Sequence, residues 1–107
     1  MFSKMRINET LDENNGIIIE IEVSDDYSIM RSFSIVYISI INGTKYEIIK
    51  FDANIHESVH VHYYFHSKEV KKYLQKSITG DSIDDCIEQI KQNWHWYLSQ
   101  YKENHYI

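Results

Sequence analysis

Asn42-Gly43 stands between two long β-favouring runs, and this junction constrains the fold more than any other feature of the chain. Both residues tolerate positive φ, which a two-residue hairpin turn demands. The run before it, Met30–Ile41 (MRSFSIVYISII), is apolar on both faces and rich in β-branched residues, the pattern of a central or two-sided strand. The run after it, Thr44–Asp52, returns as the next strand.

Two further strands flank that hairpin. Gly16–Val23 (GIIIEIEV) places Ile17, Ile19, Ile21 and Val23 on one face and Glu20 and Glu22 on the other, a period of two. Ser24-Asp25-Asp26 supplies a turn, Asn54–Glu57 a loop, and Val59–Phe65 a fourth strand. Residues before about Asn15 read as an exposed lead-in. Ser67 is placed to cap a short helix, Lys68–Gln75, with Val70 and Leu74 on one face. After Thr79-Gly80, Asp81 or Ser82 caps a long helix that runs to about Lys102. On it Ile83, Ile87, Ile90, Trp94, Tyr97, Leu98 and Tyr101 form one stripe, and Asp84 and Asp85 suit the positive end of the dipole. The expected fold is α+β: an antiparallel four-stranded β-meander, then a short helix, then a long C-terminal helix packed on one face.

Length and composition limit the class. A chain of 107 residues, 43% hydrophobic and 14% aromatic, reads as a single domain over 1–107 with a core of its own. Its net charge of −5 gives no bulk attraction for phosphate, so any role on nucleic acid rests on local groups. A lone cysteine, Cys86, excludes an intramolecular disulfide and a thiolate zinc cage, and it flanks the helical stripe as a small buried hydrophobe. Gly43 and Gly80 serve turns, which leaves no phosphate loop, and no serine nucleophile elbow is present. The N-terminal Met-Phe-Ser-Lys-Met-Arg is not followed by an apolar core of about 7–15 residues. The expectation is a soluble cytoplasmic protein without a membrane partner.

Four of the six histidines, His56, His60, His62 and His66, fall within eleven residues. Imidazole both titrates near neutral pH and binds transition metals. On an extended Val59–His66 the side chains alternate. Val59, Val61, Tyr63 and Phe65 take the core side, while His60, His62, Tyr64 and His66 stand opposite, roughly 7 Å apart at each step of two.

Three readings of that face stay open. In the first, His60 and His62 share a divalent transition metal, the one cofactor the pattern suggests, with His56 from the preceding loop as third ligand. Asp52 or Glu57 is then the carboxylate and His66 a secondary ligand. In the second, no metal is bound: His60 and His62 act as base and acid on an RNA 2′-hydroxyl and its leaving group. There Lys50 holds the phosphate, His56 adds a substrate contact and Asp52 orients a histidine. The third is a solvated strand face that happens to be rich in histidine. Arg31, Lys45 and Lys68 are the other nearby cations, with Lys45 and Lys68 reading as ordinary solvated charges. Trp96 lies about 160° from the helical stripe and reads as a rim or partner contact. His95 is expected to face solvent and His105 to sit in a fraying tail.

The stretch Tyr46-Glu-Ile-Ile-Lys50-Phe51-Asp52-Ala53-Asn54-Ile-His56, followed by His60-Val61-His62, resembles the TumE-type toxins of toxin–antitoxin pairs. Those proteins carry a strand ending in a basic–aromatic–Asp–Asn-like run, then a histidine-bearing loop and a His-x-His strand, in a strands-first, helix-last order. The resemblance covers roughly twenty residues and implies a functional cluster of Lys50, Asp52, His56, His60 and His62. Lys50 stands where that family usually has arginine, Ala53 parts Asp52 from Asn54, and Val59 stands where a proline is frequent. The implied activity is RNA cleavage or another block of translation, with a cognate antitoxin as partner. The alternative is a non-enzymatic metal-binding or protein-interaction module, such as a phage or mobile-element accessory protein. Trp96 and Tyr101 are the aromatic positions expected at such an interface or at a homodimer contact.

Overall fold

A computed structural model describes residues 1–107, all of them in one antiparallel sheet, one helix and their connections. Six strands follow in chain order and in spatial order: β1 (Phe2–Asp12), β2 (Asn15–Ser24), β3 (Met30–Ile41), β4 (Thr44–Asn54), β5 (Glu57–Tyr63) and β6 (Val70–Tyr73). A single helix, α1 (Gly80–His105), closes the chain. The protein is mostly β, with about half of its residues in strands.

The central hairpin forms as its turn residues dictate. Asn42 and Gly43 take φ of 51° and 79°, and Ile41 pairs with Thr44. Ile17, Ile19 and Ile21 of β2 lie opposite Tyr37, Ile35 and Phe33 of β3. Phe33 and Ile35 lie in turn opposite Ala53 and Phe51 of β4, and Phe51 opposite Val61 of β5. Directly opposed residues of an antiparallel pair share a face, so these side chains build one apolar face across four strands. The helix lies over β3 and β4 on that face and buries Ile83, Cys86, Ile90, Trp94, Tyr97 and Tyr101 against it.

The expected four-stranded meander with two helices is corrected at both ends of the sheet. The lead-in is β1, whose turn into β2 is closed by Asp12: its Oδ1 accepts from the Asn14 backbone N–H and from Asn15 Nδ2, each at 2.8 Å. β1 packs so closely that a Cβ on Gly16 would meet the Glu9 carbonyl oxygen at 3.1 Å. The segment expected as helix Lys68–Gln75 contains β6 instead, paired antiparallel to β5 with Lys71 opposite His62 and Tyr73 opposite His60. The free edge of β5 offers it a full set of backbone partners, more than an isolated two-turn helix could provide for itself.

The helix also starts earlier and ends later than its sequence signals suggest. Thr79 is the N-cap, its hydroxyl accepting from the Ser82 backbone N–H at 3.1 Å, and the Ser82 hydroxyl donates to the Ser77 carbonyl at 2.7 Å. The far end is tied down. His105 Nε2 donates to the Tyr64 carbonyl at 2.9 Å, Asn104 donates to the Phe65 carbonyl at 2.8 Å, and Tyr106 closes the helix in a left-handed conformation. His105 is therefore part of the packed structure and not of a fraying tail. No helix is long and apolar enough to cross a membrane.

Candidate functional site

The face of the sheet turned away from α1 carries the polar alternates of the core strands. Because Phe51 and Val61 point to the helix, Lys50, Asp52, His60 and His62 must point the other way. Register then sets them side by side: Lys50 lies opposite His62 and Asp52 opposite His60. The histidine strand thus alternates as its sequence implies, with Val59 and Val61 wholly buried on the core side.

His60 is far from solvent for an open sheet face, only 1% exposed. Its ring is walled by His62, with centroids 5.0 Å apart and rings at 75°, and by Tyr73 at 5.5 Å. Nδ1 donates to the Ser58 carbonyl at 2.9 Å, so in the neutral ring Nε2 keeps the lone pair. Nε2 faces Asp52 Oδ2 at 3.9 Å.

His62 is backed in the same manner. Its Nδ1 donates to Glu69 Oε1 at 2.5 Å, and its ring stacks on Tyr64 at 5.8 Å and 9°. Asp52 Oδ2 also has the Lys50 ammonium at 4.0 Å. One ligand atom from each of Asp52, His60 and His62 lies within 4.8 Å of the others, a spacing that suits a shared metal ion.

Two expected members of this cluster lie outside it. Asn54 closes the β4–β5 turn on itself, its Oδ1 accepting from the backbone N–H of His56 at 2.8 Å and of Glu57 at 3.0 Å. That tight turn leaves His56 exposed and prevents the loop from folding back over the sheet. His56 is therefore no part of the three-residue group, whose third member is Asp52. His66 follows the end of β5, exposed, with its ring packed on Phe65 at 4.6 Å and on Tyr63 at 6.2 Å. Glu57, the other carboxylate considered, is already engaged. It accepts from Lys71 Nζ at 2.7 Å and from the Tyr73 hydroxyl at 2.6 Å, and these two bonds hold its carboxyl down at about 2. In doing so it braces β6 and the Tyr73 ring that covers His60.

Two residues that matter here escape the sequence patterns, Glu69 behind His62 and Tyr73 over His60, whereas Tyr64, which stacks on His62, lies on the face that strand alternation gives it. A signal for both is the alternation Glu69, Lys71, Tyr73, which puts three polar-tipped side chains on one face of a strand. Beyond Asp52 a shallow depression of about 340 Å³ runs toward the β1 side, with Lys4, Ser32, Ser34, Lys50 and Asn54 on its walls. Glu20 and Glu22 also line it, answered by Lys4 at 3.9 Å and by Arg31 at 3.2 Å respectively. Cys86 is 1% exposed, and burial pushes its thiol up to about 11, which removes it as a nucleophile. Trp96 is 55% exposed and rests edge-on against Phe65, while Tyr101 is buried under Tyr46 and His105. Of the two aromatics expected at an interface, only Trp96 is free to make one.

No curated protein and no solved structure matches the chain. A family model described as Domain of unknown function (DUF7718) matches residues 3–107, and the chain belongs to that family.

Proposed function

We propose that Asp52, His60 and His62 hold one divalent transition metal, and that this centre, with Lys50 beside it, serves the cleavage of RNA phosphodiester bonds in a toxin-like protein. The observation that carries the metal is the convergence of three ligand atoms within 4.8 Å. Two imidazoles and a carboxylate form a donor set suited to zinc, iron, manganese or nickel, and three protein ligands leave a position open for water or substrate. Ligand atoms around a four-coordinate zinc lie roughly 3.4 Å apart. The 3.9 Å between His60 Nε2 and Asp52 Oδ2 exceeds that by about 0.5 Å.

The outer partners support the same reading. A ligating imidazole is oriented by an acceptor on its other nitrogen, and here the Ser58 carbonyl and the Glu69 carboxylate fill that place for His60 and His62. The ring packing favours a metal over a metal-free acid–base pair. His60 and His62 touch edge to face, which leaves no room for a phosphodiester between them. A divalent cation in this position supplies Lewis acidity and lowers the pKa of a bound water toward about 7. Lys50, with its ammonium 4.0 Å from Asp52 Oδ2, would neutralise a phosphoryl oxygen next to the ligands.

The RNA substrate and a cognate antitoxin partner rest on the resemblance around Lys50, Asp52, His60 and His62 and on the cation at Lys50. The test is inducible expression in a bacterial host together with RNA cleavage by the purified protein. Growth arrest and metal-dependent cleavage, both lost in His62→Ala with the fold intact, support the whole reading. A harmless wild type that binds metal but cuts no RNA removes the nuclease and leaves a non-enzymatic metal-binding module.

A further inference from the structure

The two outer edges of the sheet are built differently. β6 is four residues long and carries Lys71 and Lys72, a short and charged edge of the kind that resists further pairing. β1 is eleven residues long, contains no proline, and pairs on one side only, with β2. Its alternate residues Met5 and Ile7 lie opposite Ile21 and Ile19 on the helix side of the sheet, yet they are 37% and 46% exposed. The helix does not reach them, since it lies over β3 and β4. It touches β1 near its end, where Lys91 Nζ meets Glu9 Oε1 at 2.5 Å. A long edge with apolar side chains and free backbone groups is an open template for another strand.

We infer that β1 is a homodimer interface, pairing antiparallel with β1 of a second copy about a two-fold axis at Ile7. A second copy fits this edge, because the strand pairs with itself over its whole length without a like-charged pair; charge excludes two registers and the length of strand paired selects among the rest. Opposed residues must share a face, so a symmetric pairing is centred on a residue. Centring on Met5 sets Lys4 against Arg6 of the second copy, and centring on Arg6 sets that residue against itself. Centring on Asn8 avoids like charges but pairs only residues 4–12, whereas centring on Ile7 uses the whole strand and opposes Lys4 to Thr10, Arg6 to Asn8 and Met5 to Glu9, again with no like-charged pair. Glu9 brings Lys91 with it as a counter-charge, and Ile7 meets its own copy on the axis. The two six-stranded sheets become one of twelve, with both helices on one side. Both Asp52–His60–His62 clusters then lie on the other side, on one continuous face. The pairing needs no metal and stands whether or not the cluster binds one.

Sedimentation velocity across a micromolar to hundred-micromolar series reads the result directly. Wild type is expected at about twice the 12.9 kDa chain mass, and Ile7→Lys, which puts two ammonium groups on the axis, at the chain mass with an unchanged circular dichroism spectrum. An Ile7→Cys variant keeps the test sharp should the lysine variant fail to fold. Opposed residues have Cα atoms about 4.5–5.5 Å apart, within disulfide reach. Mild oxidation is therefore expected to link Ile7→Cys into a dimer while Thr10→Cys, opposite Lys4, stays unlinked. Cys86 is buried and takes no part. A wild type that sediments as a monomer throughout, an Ile7→Lys protein that stays dimeric, or equal cross-linking of Ile7→Cys and Thr10→Cys would each overturn the inference.

Discussion

Replacing Tyr37 by phenylalanine removes a single oxygen and tests what anchors β1 and β2 to the rest of the sheet. The Tyr37 ring is fully buried, edge-on to Trp94 at 6.2 Å, and its hydroxyl donates to Asn15 Oδ1 at 2.6 Å. Asn15 passes the interaction on, donating through Nδ2 to Asp12 Oδ1 in the β1–β2 turn. Phenylalanine keeps the ring packing, so the change isolates the hydrogen bond. It leaves Asn15 Oδ1 without its donor in a residue that is 7% exposed. An unsatisfied buried acceptor costs about 1–3 kcal/mol. Asn15 sits at the rim of the sheet, where a relaxed side chain can recruit water, so about 1–2 kcal/mol is expected. For a domain of this size that lowers Tm by about 4–10 °C. Thermal unfolding followed by circular dichroism measures it, and a double-mutant cycle with Asn15→Ala should give a coupling of about 1 kcal/mol. A Tm unchanged within a degree, or two substitutions that simply add, would refute this account of the anchor.

Three other outcomes follow from the geometry. Glu69→Gln keeps an acceptor behind His62 but removes its charge, and metal affinity measured by chelator competition should fall about tenfold; an unchanged affinity would show that Glu69 does not act through His62. Cys86 should be inert to a thiol reagent at neutral pH in the folded protein and reactive once unfolded, because burial raises its pKa to about 11; rapid labelling of the native state would contradict that placement. Glu57 titrates at about 2, against its ordinary 4.5, because Lys71 and Tyr73 donate to it. A depressed carboxyl stabilises fully above its ordinary value and loses that contribution as pH falls through the folded one. The protection factors of the β6 amides, taken against the intrinsic exchange rate at each pH, should therefore be high at pH 5 and fall toward pH 2, and Glu57→Gln should abolish that dependence.

The central strands and the helix were legible because their patterns are strong: Asn42-Gly43 between β-branched runs, the isoleucine alternation of β2, and the apolar stripe from Ile83 to Tyr101. The two edge strands were not. In β1 the apolar alternation of Met5, Ile7 and Leu11 is diluted by Ser3 and Glu9 on the same face, and most of the strand is exposed. In β6 the spacing of Val70 and Leu74 fits a helix turn as well as it fits a strand, and only the free edge of β5 decides between them. The same logic explains the site. Lys50, Asp52, His60 and His62 could be gathered because strand periodicity and antiparallel pairing are enough to place them. His56 could not be placed, because its position depends on Asn54 closing its own turn. Glu69 and Tyr73 lie in or beside β6, in a segment whose spacing suits a helix as well as a strand.

Metal content of protein purified without an affinity tag tests the central claim most directly. After loading with zinc, manganese, nickel or ferrous iron and removal of excess metal, elemental analysis should give about one ion per chain for at least one of these metals. Folded His60→Ala, His62→Ala and Asp52→Ala variants should each lose it, while His56→Ala and His66→Ala should retain it. A folded wild type that holds no ion, or one whose ion survives loss of Asp52 but not of His56, would contradict the assignment of this face as a metal centre.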